Sequence, residues 1–455
     1  MKILLRSHSS AFGEIFNFQD DESKGRIIAL TSTLLSTVYN VFIGGIFYTG
    51  FLSMYGMSIT DAGILGFVPY LCNLLGIFSP KLLSRFPKRK GILMSAKAVF
   101  YLIYVVLTTV MPQIVTDPDA RLTWFIALSA VAHAFYALFS NGITNWMYTF
   151  YPKNNDLRLR YLTLTQIFSS VLSSVILLSS GYLTDALSNS PYQDSLILIF
   201  RYFAFVLVLV DVFITCKAKE FPYEESAQVK LKDVITLPFR HKKFMFCVGL
   251  MFAWNFGSAL SGLWTYHLLN HLDYSYTLIN ITSVSYTVLL IFLSPLWNRV
   301  LRRVSWVRCV GISFLGTSVV NFALFFMTKE TDSLFLILSI YSNAAAIGAN
   351  IAYANLQYMN MPKENSTVFI TFYTIGANLF AFFGMLTGTW ISSITGDNPI
   401  HLLGIDVYSV QFDVVLVGGF QLVLGLIMLL KWKTFTSDAE ISRINLMYGG
   451  KRRKY

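Results

Sequence analysis

Charged side chains are scarce in this chain. Asp, Glu, Lys and Arg supply 13% of its 455 residues, about half the share of an ordinary soluble domain, while 55% of the residues are hydrophobic. A soluble core of this size cannot hide so much apolar surface, so the chain belongs in a bilayer. Cysteine is scarce too. Cys72, Cys216, Cys247 and Cys309 stand in apolar runs or at their ends, without the paired spacing of a zinc site or a disulfide framework. Also missing are a nucleotide-binding glycine loop, a nucleophile-and-base pairing and a metal-ligand cluster. An enzyme, a cofactor or metal, and ATP as a direct energy source are therefore not expected. The net charge of +11 is spread through short connections rather than gathered on one face, and it reads as a topology signal, not a nucleic-acid surface. Lys2 and Arg6 lead into a polar stretch with Asp20, Asp21 and Glu22, unlike a cleaved signal peptide, so the first apolar segment is expected to act as its own uncleaved signal.

What the chain does have is internal repetition. Asn145, Tyr148, Pro152, Lys153 and Asn155 recur 210 residues later as Asn355, Tyr358, Pro362, Lys363 and Asn365, and Ser79-Pro80 recurs 215 residues later as Ser294-Pro295, each pair followed by basic residues. One ancestral unit has been used twice. A membrane-crossing helix needs about 20 apolar residues. Twelve segments qualify, near 27–53, 60–83, 91–111, 122–146, 160–183, 194–216, 244–268, 278–298, 306–327, 334–358, 366–391 and 409–431. Alternating the connections between two sides puts 31 of the 35 Lys and Arg on the side of the termini. Only Arg121, Arg201 and Lys329 fall on the other side, with Lys97 inside the third segment. The bias predicts both termini in the cytoplasm and a multi-pass protein of the plasma membrane. The expected fold is an all-α membrane protein with twelve transmembrane helices in two six-helix pseudo-symmetric bundles. Its parts are a tail (1–26), a first bundle (27–216), a central cytoplasmic loop (217–243), a second bundle (244–431) and a basic tail (432–455). Val229, Leu231, Val234, Ile235 and Leu237 in the central loop suit either a helix lying on the membrane surface or a solvated linker.

Two six-helix halves in parallel repeat, a long central loop, and basic connections after segments 2 and 8 together resemble the major facilitator superfamily of secondary transporters. The family's signature between helices 2 and 3 aligns with Pro80 to Lys90: Leu82, Arg85, Lys88 and Arg89 match, prolines stand at both glycine positions, and Ser84 replaces the acid on which a conformational latch would depend. Segment 4 lacks the Arg-based motif of many proton-coupled members, and segment 5 lacks the Gly-Pro-rich motif of drug/proton antiporters. The resemblance implies a solute site near the midplane, lined chiefly by helices 1, 4, 7 and 10.

At mid-depth those four segments carry Asn40, His133, Trp254 with Asn255, and Asn343. The repeat offsets pair them: Asn40 with Asn255 and His133 with Asn343. Asn350 lies two turns beyond Asn343 on the same stripe, and Tyr70, Asn73, Tyr286 and Asn378 are candidates of second rank. Asn40, His133, Trp254, Asn255, Asn343 and Asn350 are the expected substrate contacts, and His133, ionisable near neutral pH, is the proton-sensitive one. Amides are also common glue between membrane helices, worth about 0.6–2 kcal/mol. For Lys97 and Asp211 the favoured reading is interfacial anchoring, Lys97 by snorkelling, with a mutual ion pair as the alternative. Arg85, Lys88, Arg89, Pro152 and Pro362 form the cytoplasmic loop motifs, read either as gating hinges or as turn chemistry with topology charge. No Asp or Glu sits at mid-depth in segments 1, 4, 7 or 10, so the lining suits a neutral, sugar-like or nucleoside-like solute. The expected partners are that small-molecule substrate, the lipid bilayer, and a coupling ion, proton or sodium. Alternatives are an exporter of amphipathic compounds, and a receptor or assembly factor that kept the fold.

Overall fold

The computed structural model describes residues 13, 15, 16, 20–152, 155–188, 190, 192–220, 231–356, 360–362, 366–402, 404–437, 440–442, 444 and 445. Twelve helices among them are long and apolar enough to cross a membrane: Asp21–Met54, Ile59–Leu83, Lys90–Ile114, Pro118–Tyr148, Arg160–Ala186, Tyr192–Thr215, Lys242–His271, Tyr276–Leu301, Trp306–Leu324, Asp332–Tyr353, Val368–Ser392 and Ser409–Leu430. They are called spans 1 to 12 below. Helices dominate because a bilayer offers no partners to backbone N–H and C=O groups, and a helix satisfies them within itself. Side chains such as Phe292, Ile114 and Leu430 are about three-quarters exposed, which suits contact with lipid.

The chain divides into two compact units. Unit 1 comprises Met1–Gly56 and Cys72–Ala227; unit 2 comprises Met57–Leu71 and Gln228–Tyr455. The beginning of span 2 joins unit 2 because its partners are there. The Tyr266 hydroxyl donates to the Met57 carbonyl at 2.9 Å, Phe67 packs edge-on against Phe382 at 5.5 Å, and Gly66 lies against Met385. Pro69 and a tighter turn at Leu74–Phe78 interrupt this span before it continues into unit 1.

Spans 1 and 7 are both broken. Span 1 stops at Ile43 and restarts at Gly45, with Gly44 extended and Gly45 at φ +51°, a conformation that glycine adopts without Cβ strain. Span 7 leaves the α-helix after Leu260, turns at Ser261–Leu263, and continues through Trp264–Tyr266 into a π-helical turn at His267–His271. Each break follows shortly after one member of the repeat pair Asn40 and Asn255. Span 3 also contains a wide turn at Leu102–Leu107. Such irregularities are uncommon in helices and gather at functional positions.

Close packing in unit 2 relies on glycine. A Cβ at Gly384 would lie 2.2 Å from the Phe256 carbonyl oxygen, and one at Gly388 would lie 2.4 Å from that of Leu260, so spans 7 and 11 meet backbone to backbone. The helix Leu231–Phe239 forms in the central connection and packs on span 11, with Val234 buried and Leu237 against the Phe244, Val248, Phe252 and Phe369 cluster. Its outward Ile235 and Phe239 are more than half exposed; Val229 lies outside the described residues. After span 11 a short hairpin pairs β1 (Ile400–Leu402) antiparallel with β2 (Ile405–Val407), in the register Ile400 to Val407. Three-residue strands are too short to announce themselves in a sequence.

Replacing Gly384 with Ala should cost about 1–3 kcal/mol by overpacking, seen as a lower thermal midpoint in detergent. Gly419→Ala, where an added methyl meets nothing within 4 Å, should leave the midpoint unchanged. Equal behaviour of the two variants would remove the argument for backbone contact at Gly384.

Candidate functional site

In unit 1, polar groups and rings form a continuous column. Asp211, fully buried on span 6, holds Lys97 of span 3 at 2.6 Å. The same carboxylate oxygen accepts from the Tyr39 hydroxyl at 3.1 Å, and its other oxygen accepts from Thr215 at 3.1 Å. Lys97 is 6% exposed and does not snorkel. The reason is energetic: an ammonium this far inside gains more from a buried carboxylate with further hydrogen bonds than from a stretched stem. Above the pair, Tyr39 meets Tyr101 edge-on at 5.0 Å, and Phe100 stacks on Tyr136 at 4.4 Å. His133 stands edge-on to Phe100 and Tyr104 at 5.2 and 5.0 Å, and its Nε2 is buried without a hydrogen-bond partner. The column ends at Arg201, fully buried, which donates from Nε to Thr109 and from Nη2 to Thr108 and the Tyr104 carbonyl. Its guanidinium lies 3.9 Å from the Phe51 ring centre, a cation–π contact where no carboxylate is paired with it among the described residues. Asn40, beside Tyr39 on the next face of span 1, is exposed, and its amide has no partner among the described residues.

Unit 2 brings some of the remaining expected residues together and separates others. Asn255 Nδ2 donates to the Met251 carbonyl and to the Tyr353 hydroxyl, both at 2.7 Å, and Tyr353 in turn shares a 2.9 Å hydrogen bond with Tyr373. Trp254 is wedged by Phe314 and Tyr353 at 4.7 and 4.9 Å. It borders a cavity of about 20 Å³, room for one water, with Ser258, Phe420 and Gln421. Asn350 is exposed and donates to the Tyr286 hydroxyl at 3.1 Å. Asn343 turns elsewhere: its Nδ2 donates to the Thr282 carbonyl and the Ser285 hydroxyl of span 8. That amide ties two helices together.

A further group escaped the sequence reading. His267 and His271 face each other through their Nδ1 atoms at 3.0 Å, and His271 Nε2 lies 2.9 Å from an oxygen of Asp397. That oxygen also accepts the Ile59 N–H at 3.3 Å. Burial raises the Asp397 carboxyl, but His271, the Ile59 N–H and Tyr266 together outweigh it and hold it below the usual carboxylate range. Near the start of span 12, Asp413 is fully buried, accepts from Ser392 at 3.2 Å on one oxygen, and has no partner on the other. The available signals were the i, i+4 histidines at the end of span 7 and a single acid within the apolar run of span 12. Among the described residues no group of three or more His, Cys, Asp or Glu is placed to hold a metal.

Residues 27–385 match the sequence profile of the Major Facilitator Superfamily. The chain belongs to this superfamily. Solved structures of facilitators share its fold. A nucleoside transporter, NupG, superposes with a TM-score of 0.63 at 13% identity, covering 92% of this chain and 100% of that one. A D-xylose-proton symporter gives 0.60 at 14% identity, covering 89% and 96%. The POT family transporter PepTSo gives 0.62 at 11% identity, covering 90% and 98%. No curated protein matches the sequence.

The facilitator signature loop also finds an acid, though not at Ser84. Glu220, just after span 6, accepts the backbone N–H groups of both Arg89 and Lys90, at 3.0 Å for the latter, and Lys90 Nζ donates to the Ala218 carbonyl at 3.1 Å. The carboxylate thus covers the start of span 3, where exposed N–H groups favour an anion. The Arg89 side chain bonds back to the Phe86 carbonyl at 3.2 Å, while Arg85 and Lys88 are exposed. Pro152 is buried and Pro362 half-buried; Lys153, Lys363, Asn365 and Tyr358 lie outside the described residues.

Changing either Lys97→Met or Asp211→Leu should strand a buried charge and cost about 3–5 kcal/mol. Making both changes should recover most of that loss in thermal unfolding. A double variant no more stable than the worse single would show that the pair is not coupled.

Proposed function

We propose that this facilitator is a secondary active or facilitative transporter that moves a small, neutral, hydroxyl-rich solute of the sugar or nucleoside class by alternating access. The observation that carries the reading is how the amides are committed. Only the NH₂ of an amide can donate to a carbonyl, so the Met251 contact fixes the orientation of Asn255: both hydrogens are used and its carbonyl oxygen is left open. Asn40 has its whole amide uncommitted on an exposed face of span 1. A primary amide turned toward hydrocarbon loses its hydrogen bonds, so the exposed position of Asn40 suits a water-filled space. Open acceptor oxygens beside aromatic faces (Trp254, Tyr353, Tyr373) fit hydroxyl donors on a ring with apolar faces. Structural neighbours that carry nucleosides and xylose support this chemistry. Asn350, bound to Tyr286, extends the same polar face, whereas Asn343 serves helix packing. The reading also places the protein in the plasma membrane, with both termini in the cytoplasm and a proton or sodium ion as coupling partner.

Thermal stability of the purified protein against sugars, nucleosides, amino acids and amphipathic compounds tests it. A solute at about 100 times its Kd should add roughly 2.7 kcal/mol, and Asn40→Ala and Asn255→Ala should each abolish the shift. Shifts from amphipathic compounds alone, unaffected by either change, would favour the exporter. A protein that shifts with nothing yet binds a membrane partner would favour the receptor. For topology, a reporter fused after Tyr455 that is active only outside the cytoplasm should stay silent; activity there would overturn the orientation.

A further inference from the structure

The buried histidines at the end of span 7 take no part in the amide chemistry above, yet they are joined by hydrogen bonds to a half-exposed acid. His267 is fully buried and His271 is 5% exposed, while the side chain of Asp397 is 42% exposed. Two Nδ1 atoms 3.0 Å apart cannot both carry a proton without repulsion, so one donates and the other accepts. His271 donates from Nε2 to the Asp397 carboxylate at 2.9 Å. In its neutral form its Nδ1 must then accept from His267 Nδ1–H. That leaves a bare lone pair on His267 Nε2, which is buried and has no hydrogen-bond partner. The arrangement has a defined inner end and a defined outer end. It sits on a π-helical turn at His267–His271, the kind of irregularity that recurs at functional positions.

We propose that His267, His271 and Asp397 form a proton-binding relay that opens on the side of unit 2 opposite the termini and supplies the coupling ion. This rests on the transport reading for its purpose, though not for its chemistry. One proton taken up at His267 Nε2 makes that ring cationic. The ring then passes its Nδ1 proton to His271 Nδ1, and His271 passes its Nε2 proton to the Asp397 oxygen, which can release it to water. One proton enters and one leaves, and the two rings end with their protons on the opposite nitrogens; net transfer in one direction is completed when both rings turn over to restore the starting tautomers, since the reverse sequence only carries the proton back. The titratable groups facing the pair are Tyr266 on the same span and Tyr408 stacked on His271 at 4.1 Å, with Asp61, at the head of span 2 and bonded to Ser58, near Tyr266. None of them interrupts the row. The same Asp397 oxygen accepts the Ile59 N–H, and Tyr266 holds Met57. Protonating Asp397 therefore weakens the grip of unit 2 on the beginning of span 2, which links proton occupancy to the seating of that span.

The test uses the full chain labelled with ¹⁵N-histidine, since ring nitrogen shifts report charge and tautomer. The protein has six histidines, and His267→Gln and His271→Gln assign the two signals. The expected result is that the two rings titrate as one coupled pair, in two steps separated by more than about one pH unit, and that Asp397→Asn moves both. Two independent single-step curves, unmoved by Asp397→Asn, would overturn the relay. Should either glutamine variant fail to fold, Asp397→Asn at its half-exposed position still decides, because it must shift two histidine signals in an otherwise native spectrum. No solute is needed, so a missing relay beside a solute-induced thermal shift leaves the transport reading standing. A coupled pair without any such shift leaves the relay standing alone.

Discussion

A bilayer leaves no backbone group and no charge without a partner, and most features of this molecule follow from that constraint. It forces twelve helices, and it makes each departure from helix costly enough to need a cause. Spans 1 and 7 break at Gly44 and at Ser261–Leu263, in each case a turn or two past an asparagine of the repeat. Unwound backbone of this kind persists in a membrane protein where it is covered by other helices or faces water. Span 11 brings Gly384 and Gly388 against the carbonyls of Phe256 and Leu260, so protein covers the backbone of span 7 as it approaches its break.

The same constraint sorts the buried charges by how each is compensated. Lys97 and Asp211 compensate each other, with Tyr39 and Thr215 taking the remaining lone pairs. Arg201 has two threonine hydroxyls, a carbonyl and the face of Phe51. His133 is edged by rings and keeps one bare nitrogen. Asp413 has only Ser392. Full compensation stabilises a buried charge, whereas a buried group with few partners is costly to charge.

The spans, their number and the paired mid-depth asparagines were legible in the sequence because hydropathy and repeat offset are local or linear properties. Asn40 and Asn255 were recognisable as equivalents, and the breaks that follow them echo the repeat. What the sequence could not separate was Asn255 from Asn343. Both are amides at mid-depth of a span, and only the positions of Thr282 and Ser285 reveal that one of them is holding span 8. Likewise nothing near Lys97 in the chain points to Asp211, 114 residues away. Nor does anything near Ser84 indicate that Glu220 supplies a carboxylate to the neighbouring loop. Partnerships between distant segments are set by packing, and a single sequence does not encode them in any pattern of spacing.

Repetition also explains why the units are not interchangeable. Equivalent positions started with the same backbone, so differences in side chain at those positions record what each unit now does. Where unit 1 has an ionisable His133, unit 2 has Asn343 bound between helices; where unit 1 has an uncommitted Asn40, unit 2 has Asn255 with its donor used and its acceptor open. A hydroxyl both donates and accepts, so the open acceptor at Asn255 and the whole amide at Asn40 differ in what each can offer a hydroxyl-bearing group. Proton chemistry in unit 2 then falls to residues outside the repeat pairs, His267 and His271, on a stretch of span 7 beyond its break. On the proposed reading, the neutral recognition groups and the titrating ones are separate, and coupling between them would have to run through the seating of span 2, which a proton on Asp397 changes.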